Sequence, residues 1–254
     1  MSEHIEVVRD GHSLGLRFAR PEKRNAITAP MYLALAEALR EAEDSSEIRV
    51  IVLRGTEGCF TAGNDVGDLL EAPPTEPGAP VMQFLGALAA NTVPLVAAVD
   101  GDAVGVGTTM LLHCDVVLAT PRARFRLPFV DLGFVPEAGS TLLLPRILGY
   151  SRAAELALLA DFFDGERAHA LGIVNRLVAP ETLEAETTEI VGRLAAKPPR
   201  AMRETKRLMK DGAALDAAIR READVFAERM VSAEAREAFR AFAEKRKPDF
   251  SGLF

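Results

Sequence analysis

Three short apolar runs constrain this chain more than any other feature: 49–54 (RVIVLR), 94–99 (PLVAAV) and 115–119 (DVVLA). Each is too short for an ordinary helix, and none alternates apolar with polar side chains. Such runs read as strands covered on both faces, which suits parallel pairing beneath crossover helices. Before them, 5–9 and 14–18 flank Asp10-Gly11 as a hairpin. Between hairpin and first run, Thr28 is placed as an N-cap, and Met31, Leu35, Ala38, Leu39 and Ala42 follow at helical spacing. Further helices are expected over 81–90 and about 107–113. Strands alternating with helices give an α/β class.

The chain has 254 residues, 48% hydrophobic and 26% charged, which excludes disordered and fibrous classes. Thirty Lys and Arg against 37 Asp and Glu leave a net charge of −7, which argues against nucleic acid as a partner. Cys59 and Cys114 have no CxxC spacing, so neither a metal site nor a disulfide framework is expected. The start, MSEHIEVVRD, has no leader pattern, and no apolar run is long enough to span a membrane; a cytoplasmic location is expected. Residues 1–195 are expected to form the α/β core. Residues 196–254 form a helical region whose apolar positions Ile219, Val225, Phe226, Phe239 and Phe242 need a surface, in this chain or a neighbouring subunit.

Two glycine-rich segments carry the chemical argument. Ala62-Gly63-Asn64 lies after a strand, within the 55–65 stretch read as loop, and Gly105-Val106-Gly107 opens a helix. Small residues let backbone N–H groups approach a ligand closely, and a helix start adds free amides and a positive dipole end. Tight turns alone would use the same glycines. A dinucleotide fingerprint fails, because Met110 occupies the position of its last glycine.

Four segments in order, 20–26 (RPEKRNA), 60–65 (FTAGND), 101–107 (GDAVGVG) and 133–140 (GFVPEAGS), together with the tail 242–250 (FAEKRKPDF), resemble the enoyl-CoA hydratase/isomerase (crotonase) superfamily over nearly the whole chain. The resemblance implies a spiral of ββα units (ClpP-like) with a C-terminal helical trimerisation region. It also implies assembly as a homotrimer or a dimer of trimers. The implied substrate is an acyl-CoA, with coenzyme A arriving as part of it and no separate cofactor or metal. The oxyanion hole maps onto the N–H groups of Asn64 and Val106. The coenzyme site maps onto Lys23, Arg24, Ala26, Ala62, Gly63, Asp65 and Gly105, with Lys245 reaching the nucleotide from a neighbouring subunit. Lys23, Arg24 and Lys245 could equally be solvated charges, and Asp65 and Asp68 fit as caps of the short helix that follows them.

Departures from the family pattern bear on the reaction. The two glutamates that hold water in the family's hydratases correspond here to Thr109 and Phe129, which cannot take a proton from water. Glu137 remains, among Leu132, Phe134, Val135 and Leu142, at the expected opening of a helix over 141–148. Desolvation there raises a carboxylate's pKa, while a helix N-terminus pulls it down. An acid at this position resembles that of Δ3,Δ2-enoyl-CoA isomerases and some ring-isomerising relatives; a plain helix-terminal charge is the bland alternative. The expected activity is a double-bond shift in an enoyl-CoA through an oxyanion-stabilised dienolate, with Glu137 as base. The alternatives are hydration, dehalogenation or ring-opening on the same scaffold, or non-catalytic acyl-CoA binding. Ser140 lacks a GxSxG frame, Asp131 could tune Glu137, and His113 reads as a packed core histidine. The proline-rich stretch 71–80 reads as an exposed connection that, with the helix after it, shapes the acyl pocket.

Overall fold

In the computed structural model, which describes residues 2–71, 76 and 78–253, the three apolar runs are central strands. The strands are β1 (Ile5–Asp10), β2 (Ser13–Phe18), β3 (Val50–Arg54), β4 (Cys59–Thr61), β5 (Leu95–Val99), β6 (Asp102–Val104), β7 (Val116–Ala119), β8 (Arg124–Arg126), β9 (Phe163–Asp164) and β10 (Arg176–Leu177). One sheet has the order β1-β2-β3-β5-β7-β10, parallel except for the β1–β2 hairpin. The other has the order β4-β6-β8-β9, with only β8–β9 antiparallel.

The expected ββα units are therefore present. In the pairs β3–β4, β5–β6 and β7–β8 the first strand joins the large sheet and the second joins the small one, whereas β1 and β2 both lie in the large sheet. The stretch 55–65, read as loop, contains β4, a correction to the sequence reading. Three residues between turns are too few to show a period, yet Cys59, Phe60 and Thr61 are all buried.

The helices are α1 (Ala29–Asp44), α2 (Val66–Glu71), α3 (Pro80–Ala90), α4 (Val106–Thr109), α5 (Ser140–Leu148), α6 (Tyr150–Leu159), α7 (Gly165–Ala170), α8 (Leu183–Ala195), α9 (Pro199–Met209), α10 (Gly212–Met230) and α11 (Ala233–Ala243). Val50, Val52, Val96 and Leu118 pack on one face of the large sheet with Val178 and Ile190. Ile51, Leu53, Leu95, Ala97 and Val117 pack in the main core with Leu35, Leu39, Phe84 and Leu88 of α1 and α3. Both faces are covered, which is why these strands do not alternate.

Thr28 occupies the N-cap position of α1, but its side chain makes no capping bond. The Ala29 N–H instead donates to Asp68 of α2. The helix expected over 107–113 is α4 followed by a single tighter turn, Met110–His113. Residues 72–75 and 77 of the proline-rich stretch lie outside the described residues.

The C-terminal helices dock on the core through specific cations and one carboxylate. Arg203 of α9 donates to the carbonyls of Ala42, Glu43 and Ser45 at the end of α1. Lys210 reaches the carbonyls of Leu88, Ala89 and Asn91 at the end of α3. These are the orphan acceptors every helix end leaves. Of the five apolar tail positions, Ile219 and Phe226 are buried and Phe239 packs against the core. Val225 and Phe242 are exposed. Among the described residues no helix is long and apolar enough to cross a membrane.

Candidate active site

Two turns meet where β4 runs toward α2 and β6 into α4. Gly63 has φ 89°, and a Cβ there would lie 2.7 Å from the Val104 carbonyl oxygen. A Cβ on Gly107 would lie 2.6 Å from Thr61 Cγ2. Side chains are excluded because the Gly63 backbone presses on that of Val104, and Gly107 on Thr61. Gly105 supplies the N-cap of α4.

Buried Asn25 ties this region to the 20–26 turn. Its Nδ2 donates to the carbonyls of Cys59 (3.0 Å) and Phe60 (3.2 Å), and its own carbonyl accepts from Thr61 Oγ1 at 2.6 Å. The Ala62 N–H donates to Arg24 O at 2.9 Å, and Asp65 N–H to Ile27 O at 2.9 Å. Gly105 N–H donates to Arg126 O at 3.0 Å. Amid these committed amides, the N–H groups of Asn64 and Val106 donate to no protein acceptor among the described residues. They are the two amides singled out in the sequence.

Glu137 is 8% exposed. Its Oε1 accepts from Thr109 Oγ1 at 2.6 Å, while its Oε2 has no partner among the described residues. Burial pushes the Glu137 carboxyl up to about 7; the Thr109 hydrogen bond opposes this and the charge of Glu222 adds to it.

Glu137 does not open a helix, a second correction. Ala138 and Gly139 both adopt left-handed backbone (φ 64° and 69°), so α5 starts at Ser140. The leading amides of that helix face Glu222 of α10, which accepts from Gly139 N (2.6 Å), Thr141 N (2.8 Å) and Thr141 Oγ1 (2.6 Å). The helix-terminal pull expected on Glu137 acts on Glu222 instead.

A cavity of about 30 Å³ lies against Glu137 and Asn64, walled by Val81, Met82, Leu85, Ile219, Ala223 and Phe226. A second hollow of about 40 Å³ shares Asn64 and Val81 with it and adds Tyr32, Asp65 and Asp68. Asn64 thus stands between the two. The buried Tyr32 hydroxyl donates to Asn64 Oδ1. Burial and the nearby Glu137 charge hold the Tyr32 phenol well above its usual range. A larger open groove of about 370 Å³ lies at the carboxyl ends of β3 and β5. Its arginines are already paired, Arg54 with Glu184 and Arg122 with Asp100.

The remaining candidates fall into place around this centre. Thr109 is fully buried and serves Glu137 directly, while Phe129 is a buried core side chain. His113 is buried, and burial lowers its pKa to about 3, so the ring is neutral. Its Nε2 therefore donates to the Ala138 carbonyl at 2.7 Å, gripping the residue next to Glu137. Asp131 pairs with Arg126 at 2.7 Å and is not among the groups that shift Glu137. Ser140 is buried, and its Oγ has no partner among the described residues.

Asp65 Oδ1 accepts from the amides of Gly67 (3.0 Å) and Asp68 (3.3 Å), and its other oxygen pairs with Arg20 at 2.7 Å. Arg24 is an exposed side chain paired with Asp102, which also holds Arg124 at 2.8 Å. Lys23 is exposed near the half-buried Ala26 and Ala62, whereas Lys245 stands exposed beyond α11. Cys59 and Cys114 are free thiols.

The sequence reading missed Glu222, Tyr32 and the role of Asn25. Glu222 had left a signal: it interrupts the stripe Leu215, Ala218, Ile219, Phe226 on the buried face of α10. A carboxylate on such a stripe needs partners.

A family model described as enoyl-CoA hydratase/isomerase matches residues 14–252. The chain is 34% identical to the 1,2-epoxyphenylacetyl-CoA isomerase of Escherichia coli, covering 93% of this chain and 94% of that one. It is 31% identical to the crotonyl-CoA hydratase of Syntrophomonas wolfei, covering 98% of both chains. The crystal structure of an enoyl-CoA hydratase/isomerase from Pseudoalteromonas atlantica superposes with a TM-score of 0.94 at 38% identity, over 98% of this chain and all of that one.

Proposed function

The chain belongs to the enoyl-CoA hydratase/isomerase family, and from that premise we propose that it shifts the double bond of a 3-enoyl-CoA thioester, with Glu137 as the proton carrier. The observation that carries this reading is the asymmetry of one carboxylate. Glu137 Oε1 is held by Thr109, and Oε2 is buried and unpartnered beside the cavity it shares with Asn64. An acid with a pKa of about 7 is half ionised near neutrality, where a group that must both take and return a proton works best.

In this mechanism the thioester oxygen accepts from the N–H groups of Asn64 and Val106, which have no protein acceptor to lose. Oε2 of Glu137 takes a proton from C2, negative charge moves onto the thioester oxygen, and the same carboxyl returns the proton at C4. Each oxyanion donor contributes about 10²–10³ in rate and the base about 10²–10⁴. Adding water across a double bond needs a second acid. The two places where the family's hydratases carry their acids hold Thr109, whose proton is committed to Glu137, and buried Phe129.

The coenzyme lies, on the same reading, along Lys23, Arg24, Ala26, Ala62, Gly63, Asp65 and Gly105, with Lys245 supplied by a neighbouring subunit. Asp65 contributes through the helix it caps, not through a free charge. Coenzyme A enters only as part of the substrate. The exposed Val225 and Phe242 are surface that a trimer would cover.

The test is incubation with a 3-enoyl-CoA, following both the 2-enoyl and the 3-hydroxyacyl products. Conversion to the 2-enoyl thioester, lost at least about 10²-fold in Glu137→Gln, is expected. Ready hydration of the 2-enoyl thioester without any double-bond shift would overturn the assignment.

A further inference from the structure

We propose that the cavity beside Glu137 takes a short, uncharged hydrocarbon acyl group, and that Phe226 sets its length. This deepens the reading just given and rests on it for the identity of the ligand as an acyl-CoA. Apart from Glu137 and Asn64, every side chain on the wall is apolar: Val81, Met82 and Leu85 from α3, Ala138 beside Glu137, and Ile219, Ala223 and Phe226 from α10. A distal carboxylate or hydroxyl on the acyl group would be buried against hydrocarbon with no partner, which is strongly disfavoured.

Depth is limited by an aromatic stop. The Phe226 ring is buried and packs on Phe134 with ring centres 4.6 Å apart. Phe134 in turn packs on Phe239 of α11 at 5.6 Å. A ring backed by two others cannot swing aside without moving α11. The α3 side of the wall is different, because Met82 is only half-buried and unbranched, and methionine adapts readily to a neighbour's shape. Width is therefore adjustable and depth is not. At rest the cavity leaves about 30 Å³ for the centres of ligand atoms, room for the first few carbons, and the yielding Met82 side admits the rest of a short chain.

The test uses saturated thioesters, which need no proton transfer and so separate recognition from catalysis. Affinities of acetyl-, butyryl-, hexanoyl-, octanoyl- and dodecanoyl-CoA are measured by calorimetry on the intact protein. While the chain lies in the pocket, each added methylene should tighten binding by roughly fourfold, the factor for burying one such group. That gain is expected to stop by octanoyl-CoA in the unaltered protein. It should continue to dodecanoyl-CoA in Phe226→Ala.

Should Phe226→Ala fail to fold, Ala223→Leu probes the same wall by filling it. Binding of hexanoyl-CoA is then expected to fall at least about tenfold and that of acetyl-CoA to hold. The thioester of hexanedioic acid should bind at least about tenfold more weakly than hexanoyl-CoA. A gain that runs unbroken to dodecanoyl-CoA in the unaltered protein overturns the proposal, as does indifference to the distal carboxylate. Failure to bind any acyl-CoA would overturn the functional assignment as well. Chain-length selectivity without isomerase activity would leave this inference standing and remove only the assigned chemistry.

Discussion

Thr109 Oγ1 lies 2.6 Å from Glu137 Oε1, joining the first turn of α4 to a segment 28 residues further along the chain. The same four-residue helix begins at Val106, whose N–H is one of the two uncommitted amides. The Glu137 carboxyl and the Val106 amide, the proposed base and oxyanion donor, are thereby fixed to one rigid unit. Substituting Thr109→Val keeps the shape and deletes the donor. The bond opposes the upward shift of Glu137, so its loss raises that pKa further. A hydrogen bond to a charged group contributes about 1.5–3 kcal/mol, so the acidic limb of the rate profile should move up by about one unit or more. A kcat–pH profile that does not move would show that Thr109 merely fills space.

Glu222 acts on Glu137 from the opposite direction. Its charge raises the Glu137 pKa, and its oxygens cap α5 through Gly139 and Thr141. Glu222→Gln keeps an acceptor and removes the charge. The acidic limb should shift down, opposite to Thr109→Val, with helix capping weakened by about 1 kcal/mol. Profiles of the two variants measured side by side decide the matter; shifts of the same sign would contradict the arrangement.

Linkage gives a third expectation. The Glu137 pKa is raised from 4.5 to about 7 on folding. In that window the folded state binds more protons than the unfolded one, so stability falls as pH rises. The contribution is fully present below about 4.5 and is lost as pH passes 7. Glu137→Gln removes a buried charge and should stabilise the protein at pH ~8 by up to about 3 kcal/mol while changing little at pH ~4.5. Urea unfolding at both pH values checks this. The variant should be more stable and less active, which a purely structural carboxylate would not produce.

How much of this could be read in advance depended on range. The strands β3, β5 and β7 were legible because burial on both faces writes itself as an unbroken apolar run. The strands β4, β6 and β8 were not, since three residues carry no period and are held by partners about forty or twenty residues away. At the site, the crowding around Gly63 and Gly107 left its mark in the sequence, because only glycine fits where two backbones touch. The burial of Glu137 was foreshadowed by its apolar neighbours. Its partners were not. Thr109 registered only as a missing acid, when its hydroxyl is what holds the remaining one. Asp131, close in sequence, is a possible tuner of Glu137 on sequence grounds, but it pairs with Arg126 and the tuning charge comes from Glu222.

Turn geometry yields a fourth expectation. At Gly63 any side chain meets a φ of 89° and the Val104 carbonyl oxygen at 2.7 Å. Gly63→Ala must therefore push the 62–65 turn away from α4 and move the Asn64 N–H relative to that of Val106. Stability should drop by about 1–3 kcal/mol, and kcat by about 10²-fold, the loss of one oxyanion donor. Gly58→Ala is the comparison: it also has positive φ (74°), with nothing near the added carbon. It should lose comparable strain energy and little kcat. Equal losses of kcat in the two variants would mean that the Gly63 turn does not position a donor.

The last expectation concerns how α9 is fastened to the core. Lys206 of α9 is 4% exposed, and its ammonium donates to Val93 O at 2.8 Å and to Asp115 Oδ2 at 2.7 Å. Asp115 Oδ2 also accepts from Leu95 N at 2.7 Å, so one carboxylate binds α9 to the starts of β5 and β7. Lys206→Met keeps the apolar stem and deletes the charge. The Asp115 side chain is 29% exposed, and water can reach what the lysine leaves. The cost should therefore lie below that of breaking a fully buried pair, at about 2 kcal/mol. If α9 also steadies α10 and its wall of the cavity, Lys206→Met should weaken hexanoyl-CoA binding without moving the pH profile of Glu137. A stability loss with unchanged acyl-CoA affinity would confine α9 to a scaffold role and leave α10 held by Glu222 and its own buried apolar face.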